Sequence, residues 1–290
     1  MWQGPAAMRF LSLQSHVAYG YVGNRAAVFP LQRLGHEVWA VNTVEFSNHT
    51  GYGAWKGRAV PAEQVAEIVQ GIEALGVLGT CDALLTGYVG DAALADVVLD
   101  TARRVRAANP RAIWCCDPVL GDVDTGIYVK PGIDTFFKER ALPAADLITP
   151  NQFELEHLTG CKVETLDEAL VATRRLLNGP RLALLTSLRR ADGPADRIEM
   201  LAVTQDAAWR IATPLIGFPI APNGTGDAVA ALFTAHWLQS GDIAHSLGKV
   251  ASSIYAVLEQ TAAMGERELQ LVAAQDRLVA PARVFAAERL

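Results

Sequence analysis

Short apolar runs alternate along this chain with segments of helical period, and that alternation constrains the fold more than any other feature. Runs at residues 9–14, 37–46, 82–89, 112–119, 145–149 and 181–187 read as strands. Segments at 24–34, 61–75, 91–108, 151–158 and 166–177 read as helices between them. Strands that are apolar on both faces and joined by helices make a parallel sheet with both faces covered. The runs at 198–203 and 209–214 alternate in polarity, as antiparallel edge strands do. From Thr225 onward the pattern is almost all helical, and Pro61 stands where the first helical residue of its segment is expected. The expectation is an α/β fold of one domain at 8–290, with residues 1–7 an expression remnant or upstream extension.

Composition narrows the function classes. Hydrophobic residues make up 51% of the 290 and charged residues 19%, a globular balance. A net charge of -6 with scattered Lys and Arg gives no footprint for nucleic acid. No basic leader precedes an apolar stretch, and no apolar run reaches the ~20 residues of a bilayer span, so a cytoplasmic protein is expected. Cys81, Cys115, Cys116 and Cys161 match no metal-ligand spacing and read as buried free thiols.

Open parallel sheets bind ligands at the carboxyl ends of their strands, and every polar motif here falls just after a strand. Gly224-Thr225-Gly226-Asp227 opens the late helix. Glycines there let backbone N–H groups meet an anion, and the helix dipole adds roughly half a positive charge. A transferring phosphoryl group needs such a cradle, and Asp227 beside it can take a proton. A glycine turn with Asp227 as a helix cap fits the same four residues. The Gly248-Lys249 pair lacks the rest of a Walker A loop, and Val229 replaces the third glycine of a dinucleotide fingerprint.

Three further stretches each read in two ways. Asp117-Pro118 ends a strand, where a carboxylate can hold Mg²⁺ through water or merely start a turn. Asn151 and Glu154 share the first turn of a helix, as ligands or as a capping box. Ser15-His16 after the first strand and the 47–57 loop with Asn48, His49, Thr50 and Tyr52 suit a planar polar ring, though both histidines serve equally as structural hydrogen-bonders.

Together these residues resemble the ribokinase-like superfamily and, within it, the pyridoxal kinases. The resemblance rests on Leu13-Gln14-Ser15-His16-Val17 with Gly23-Asn24, and on Ser47-Asn48-His49-Thr50-Gly51-Tyr52. It also rests on Asp117-Pro118, Asn151 with Glu154, the Gly224–Asp227 stretch and the tail from Glu268 to Arg277. It implies a three-layer α/β/α fold with a mainly parallel sheet and helices on both faces. It further implies pyridoxal held by Ser15, Thr50 and Gly51 with Tyr88 near the ring, and Asp227 as base. ATP would lie across Asp117, Thr149, Glu154, Thr186 and the segment Thr213, Pro214, Leu215, Ile216. Mg²⁺ would sit near Asp117 and Glu154, with a monovalent cation such as K⁺ alongside, in a homodimer. The reaction implied is phosphorylation of pyridoxal's 5′-hydroxymethyl group, with 121–129 as a lid. Two other readings stay open: a hydroxymethylpyrimidine kinase of the same superfamily, and a low-turnover pyridoxal phosphate storage protein.

Overall fold

The computed structural model describes residues 7–290, so the extension expected at 1–7 lies, but for residue 7, outside the described residues. In chain order the elements are β1 (Arg9–Val17), α1 (Asn24–Arg33), β2 (Glu37–Phe46), β3 (Gly57–Ala59), α2 (Ala62–Ala74), β4 (Ala83–Thr86), α3 (Leu94–Ala108) and β5 (Ile113–Cys116). A small hairpin follows, β6 (Gly121–Asp122) and β7 (Gly126–Ile127), then α4 (Ile133–Phe136), β8 (Leu147–Ile148), α5 (Gln152–Thr159) and α6 (Leu166–Arg175). The last part holds β9 (Leu182–Leu188), β10 (Arg197–Val203), β11 (Ala208–Pro214), α7 (Thr225–Ser240), α8 (Ile243–Met264), α9 (Gln275–Val279) and β12 (Glu288–Arg289).

One ten-stranded sheet runs in the order β12-β11-β10-β9-β8-β5-β4-β1-β2-β3. From β9 to β2 all pairings are parallel, and antiparallel strands flank them at both edges. All six parallel strands therefore end at one rim. The four residues of β4 and of β5 are all buried, which is why their sequences are apolar but for Thr86, whose hydroxyl accepts the Trp114 indole N–H. Helices α2, α3, α5 and α6 cover one face around Trp114, Leu84 and Leu185, while α1, α7, α8 and α9 cover the other around Phe10, Phe233 and Leu184. Helix α7 is apolar nearly all round because residues 228–235 are all buried between the sheet and its neighbours.

The expected class holds, with local corrections. Pairing with β2 carries β1 through Val17, so Ser15 and His16 lie inside the strand and not after it. Pro61 is the residue before α2 and takes extended ψ, outside the helix it was expected to begin. The tail is not all helix, since β12 closes the sheet edge against β11. Cys81, Cys115 and Cys116 are buried; Cys161 is only half-buried, with Arg175 Nη1 3.0 Å from its sulfur.

Candidate active site

The rim where the parallel strands end gathers three carboxylates from distant parts of the chain. Asp117 leaves β5, its backbone N–H bonded to the carbonyl of Thr86 at 2.8 Å. The side chain is 7% exposed and accepts the Thr149 hydroxyl at 2.9 Å, from the residue that follows β8. Glu154 is buried deeper. One of its oxygens accepts the N–H of Leu120 and the other that of Asn151, at 2.9 and 2.8 Å. The Asn151 side chain caps α5 through the N–H of Glu154, so the capping box open to this pair is formed.

Asp227 comes from the opposite face, in the first turn of α7. It does not cap that helix: Gly224 does, in the left-handed region at φ 87, with no side-chain cap. A Cβ at Gly224 would collide with the carbonyl oxygen of Tyr21, so glycine is required twice over there. The carboxylate of Asp227 instead accepts the N–H of Gly23 at 2.9 Å. Gly226 faces Asp117 closely enough that a Cβ would stand 4.0 Å from its Oδ2. The helix N-terminus and the β5 carboxylate thus border the same small space.

Crowding three carboxylates where water is scarce disfavours their charge. Burial, then Glu154 and Asp227, hold Asp117 well above the ordinary carboxylate range, opposed only by the Thr149 hydroxyl. Burial pushes Glu154 up to about 8 despite its backbone donors, and pushes Asp227 up to about 6 despite the Gly23 N–H. Tyr128, after β7, is half-exposed in the field of the same carboxylates, which disfavour its ionised form. A base near 6 suits proton removal at neutral pH.

A groove beside this cluster is lined by Thr186, Ser187, Glu199, Thr213, Thr225 and Gly226, among other residues. It brings predicted nucleotide residues Thr186 and Thr213 to the cradle glycines. Pro214 pairs with Arg197, and Leu215 donates its N–H to the Asp196 carbonyl at 2.8 Å; these two belong to the strand rim, with Ile216 following them. Ser187 is the surprise of this wall. It is the non-glycine residue at positive φ (54), where β9 shifts register against β10.

Among the residues expected to hold the ring, Ser15 is buried with its carbonyl and hydroxyl packed where a Cβ on Gly23 would stand. Thr50 and Gly51 lie exposed in a short 3₁₀ turn, and Tyr88 is half-buried after β4. His16 bonds Glu45 at 3.0 Å, and His49 accepts the Gly51 N–H at 3.2 Å, so both histidines make structural bonds. The expected lid is the β6–β7 hairpin, whose Asp122 side chain accepts the N–H groups of Asp124 and Thr125 within its own turn. No three His, Cys, Asp or Glu side chains among the described residues are close enough to cage an ion. No helix among them is long and apolar enough to cross a membrane.

Residues 38–271 match the family described as phosphomethylpyrimidine kinase. A pyridoxal kinase PdxY from Rubrobacter xylanophilus is 56% identical over 292 residues, with 100% of each chain covered. The chain belongs to the pyridoxal kinase family. A second PdxY, from Deinococcus radiodurans, is 54% identical and covers 97% of this chain and 96% of its own. Among solved structures, the pyridoxal kinase of Leishmania donovani in complex with ADP and ginkgotoxin superposes with a TM-score of 0.90 at 32% identity, covering 97% and 99% of the two chains. Membership of the pyridoxal kinases agrees with the resemblance read from the motifs.

Some residues at this site escaped the sequence reading. Ser187 carries no local signal; its positive φ falls where β9 shifts register against β10, a pairing that no short motif records. Arg267 and Glu268 reach the 49–52 turn from 216 residues away; the tail's resemblance began at Glu268, and nothing pointed to Arg267.

Proposed function

We propose that this enzyme transfers the γ-phosphoryl group of ATP to the 5′-hydroxymethyl oxygen of pyridoxal. The observation that carries the reading is Asp227, held by the Gly23 N–H at the N-terminus of α7 with Gly226 facing Asp117. The hydroxymethyl oxygen attacks the γ-phosphorus in line, the bond to the β-phosphate oxygen breaks, and Asp227 takes the hydroxyl proton. Backbone N–H groups of Gly224, Thr225 and Gly226 receive the equatorial oxygens, a kind of preorganised donor worth ~3 kcal/mol each. The nucleotide lies along the groove of Thr186 and Thr213, with Thr149 keeping Asp117 oriented.

Asp117 and Glu154 suit a hard cation. They are buried carboxylates whose charge is disfavoured without a counter-ion, and Mg²⁺ commonly takes one or two carboxylates plus waters and phosphates rather than a full protein cage. Bound there, Mg²⁺ would neutralise charge on the phosphate oxygens. Within the same reading fall a monovalent cation alongside, a homodimer and a cytoplasmic setting; K⁺ against Na⁺ activation, sedimentation and cell fractionation test them. The deciding assay follows ATP-dependent product formation from pyridoxal, pyridoxine and hydroxymethylpyrimidine. A larger kcat/KM for hydroxymethylpyrimidine refutes the acceptor, and ligand binding with no turnover refutes the kinase.

A further inference from the structure

The segment between α8 and α9 reaches two loops of the substrate side through a pair of adjacent charged residues. Glu268 is 6% exposed, and its two oxygens are divided between those loops. One accepts the N–H of Tyr21 at 3.1 Å and the other the hydroxyl of Tyr52 at 2.8 Å. Arg267 donates to the carbonyl of Gly51 at 2.7 Å and lays its guanidinium 3.7 Å from the centre of the Tyr52 ring. The chain makes room for this arrangement. Gly20 is left-handed at φ 97, and a Cβ there would overlap the Glu268 carboxylate.

Both loops carry residues of the proposed reaction. The first leads from Tyr21 to Gly23, whose N–H holds Asp227. The second carries Thr50 and Gly51, and the ring of Tyr19 meets Tyr52 edge-on at 6.2 Å. A single buried carboxylate thus ties the loop of the base to the loop of the acceptor ring. Neither Arg267 nor Glu268 takes part in the chemistry set out above.

We infer that Arg267 and Glu268 are positioning residues for pyridoxal, a clasp that holds the 19–23 and 49–52 loops at one spacing through Tyr21, Gly51 and Tyr52. The inference rests on the pyridoxal kinase reading of the site. Loosening the clasp enlarges the ring subsite, whereas the nucleotide groove, between β9–β11 and helices α7 and α8, is lined by neither clasp residue nor by the loops they hold. Its effect belongs in the KM for pyridoxal and not in that for ATP.

The test is steady-state kinetics with each substrate varied, on wild type, Tyr52→Phe, Glu268→Gln and their double variant, beside thermal melts. Tyr52→Phe and Glu268→Gln should each raise the pyridoxal KM on the order of tenfold, with the ATP KM within about twofold. The double variant should fall short of the product of the two single effects, because both weaken the one Tyr52–Glu268 bond. An unchanged pyridoxal KM in either folded variant overturns the clasp. So does an equal rise in both KM values with a lowered melting temperature, the mark of a merely structural role. If Glu268→Gln does not fold, Tyr52→Phe carries the test, since it deletes one hydroxyl. A wild type inert toward pyridoxal refutes the underlying reading, whereas an active wild type with unmoved variants refutes the clasp alone.

Discussion

Replacing Asp227 by Asn should make the protein more stable and nearly inactive, with the stability gain appearing only as pH rises. The Asp227 carboxyl sits at about 6, roughly 2 units above an ordinary Asp near 3.9. At about 1.36 kcal/mol per unit, ionising it in the folded chain costs roughly 3 kcal/mol. The side chain is partly open to the crevice, so about 1–3 kcal/mol is the expected range. The sign follows from linkage. Below about pH 3 the group is mostly protonated folded or unfolded, and little cost arises. Between about 3 and 6 the unfolded chain ionises first, and the cost grows; above about 7 it is complete. Asn is neutral throughout and still offers an oxygen to the Gly23 N–H, and it relieves the repulsion on Asp117 in the same direction. Urea denaturation at pH 4, 5, 6 and 8 should therefore show the two proteins converging at low pH and the variant ahead at high pH. The same substitution should lower kcat by 10²–10⁴-fold, roughly what a general base supplies. Wild-type kcat/KM should rise about tenfold per pH unit below 6 and level off above 7. A stability difference that is flat with pH, or a variant with near wild-type kcat, would refute the assignment of Asp227 as a buried base.

Other perturbations separate scaffold from chemistry. Gly224→Ala puts a Cβ against Tyr21 in a left-handed conformation and should cost both activity and ~1–3 kcal/mol of stability, seen by denaturation. Gly226→Ala meets only ordinary contact with Asp117, so its melting temperature should stay near wild type while turnover falls as the methyl intrudes on the cradle. Thr149→Val removes the hydroxyl that favours ionised Asp117; it should cost ~1–3 kcal/mol and raise the Mg²⁺ concentration needed for half-maximal rate. Arg190→Ala strips Glu199 of its nearer partner, bonded at 2.6 Å with both side chains buried, and leaves it Arg210 at 3.6 Å, so it should cost up to about 3 kcal/mol in urea denaturation.

Features encoded within a few residues were legible in the sequence. The largely apolar runs of β4 and β5 call for a sheet covered on both faces, and a parallel sheet sends its polar strand-end residues to one rim. Asn151 with Glu154 is a capping box by spacing alone, and Gly224 to Asp227 marks a helix N-terminus able to meet an anion. Those local signals were enough for the fold class and for a phosphoryl-transfer reading. They could not tell whether Asp227 caps α7, because its actual partner, the Gly23 N–H, lies 204 residues away. The same holds for Glu268 beneath the 49–52 turn, for β12 at the sheet edge, and for the strain at Ser187. Each depends on which segments the packed sheet brings within bonding distance, and no period or short motif records that. The sequence determined which groups stand at the rim; the tertiary structure decided which of them face one another, and so raised one carboxylate among three to a value suited to taking a proton.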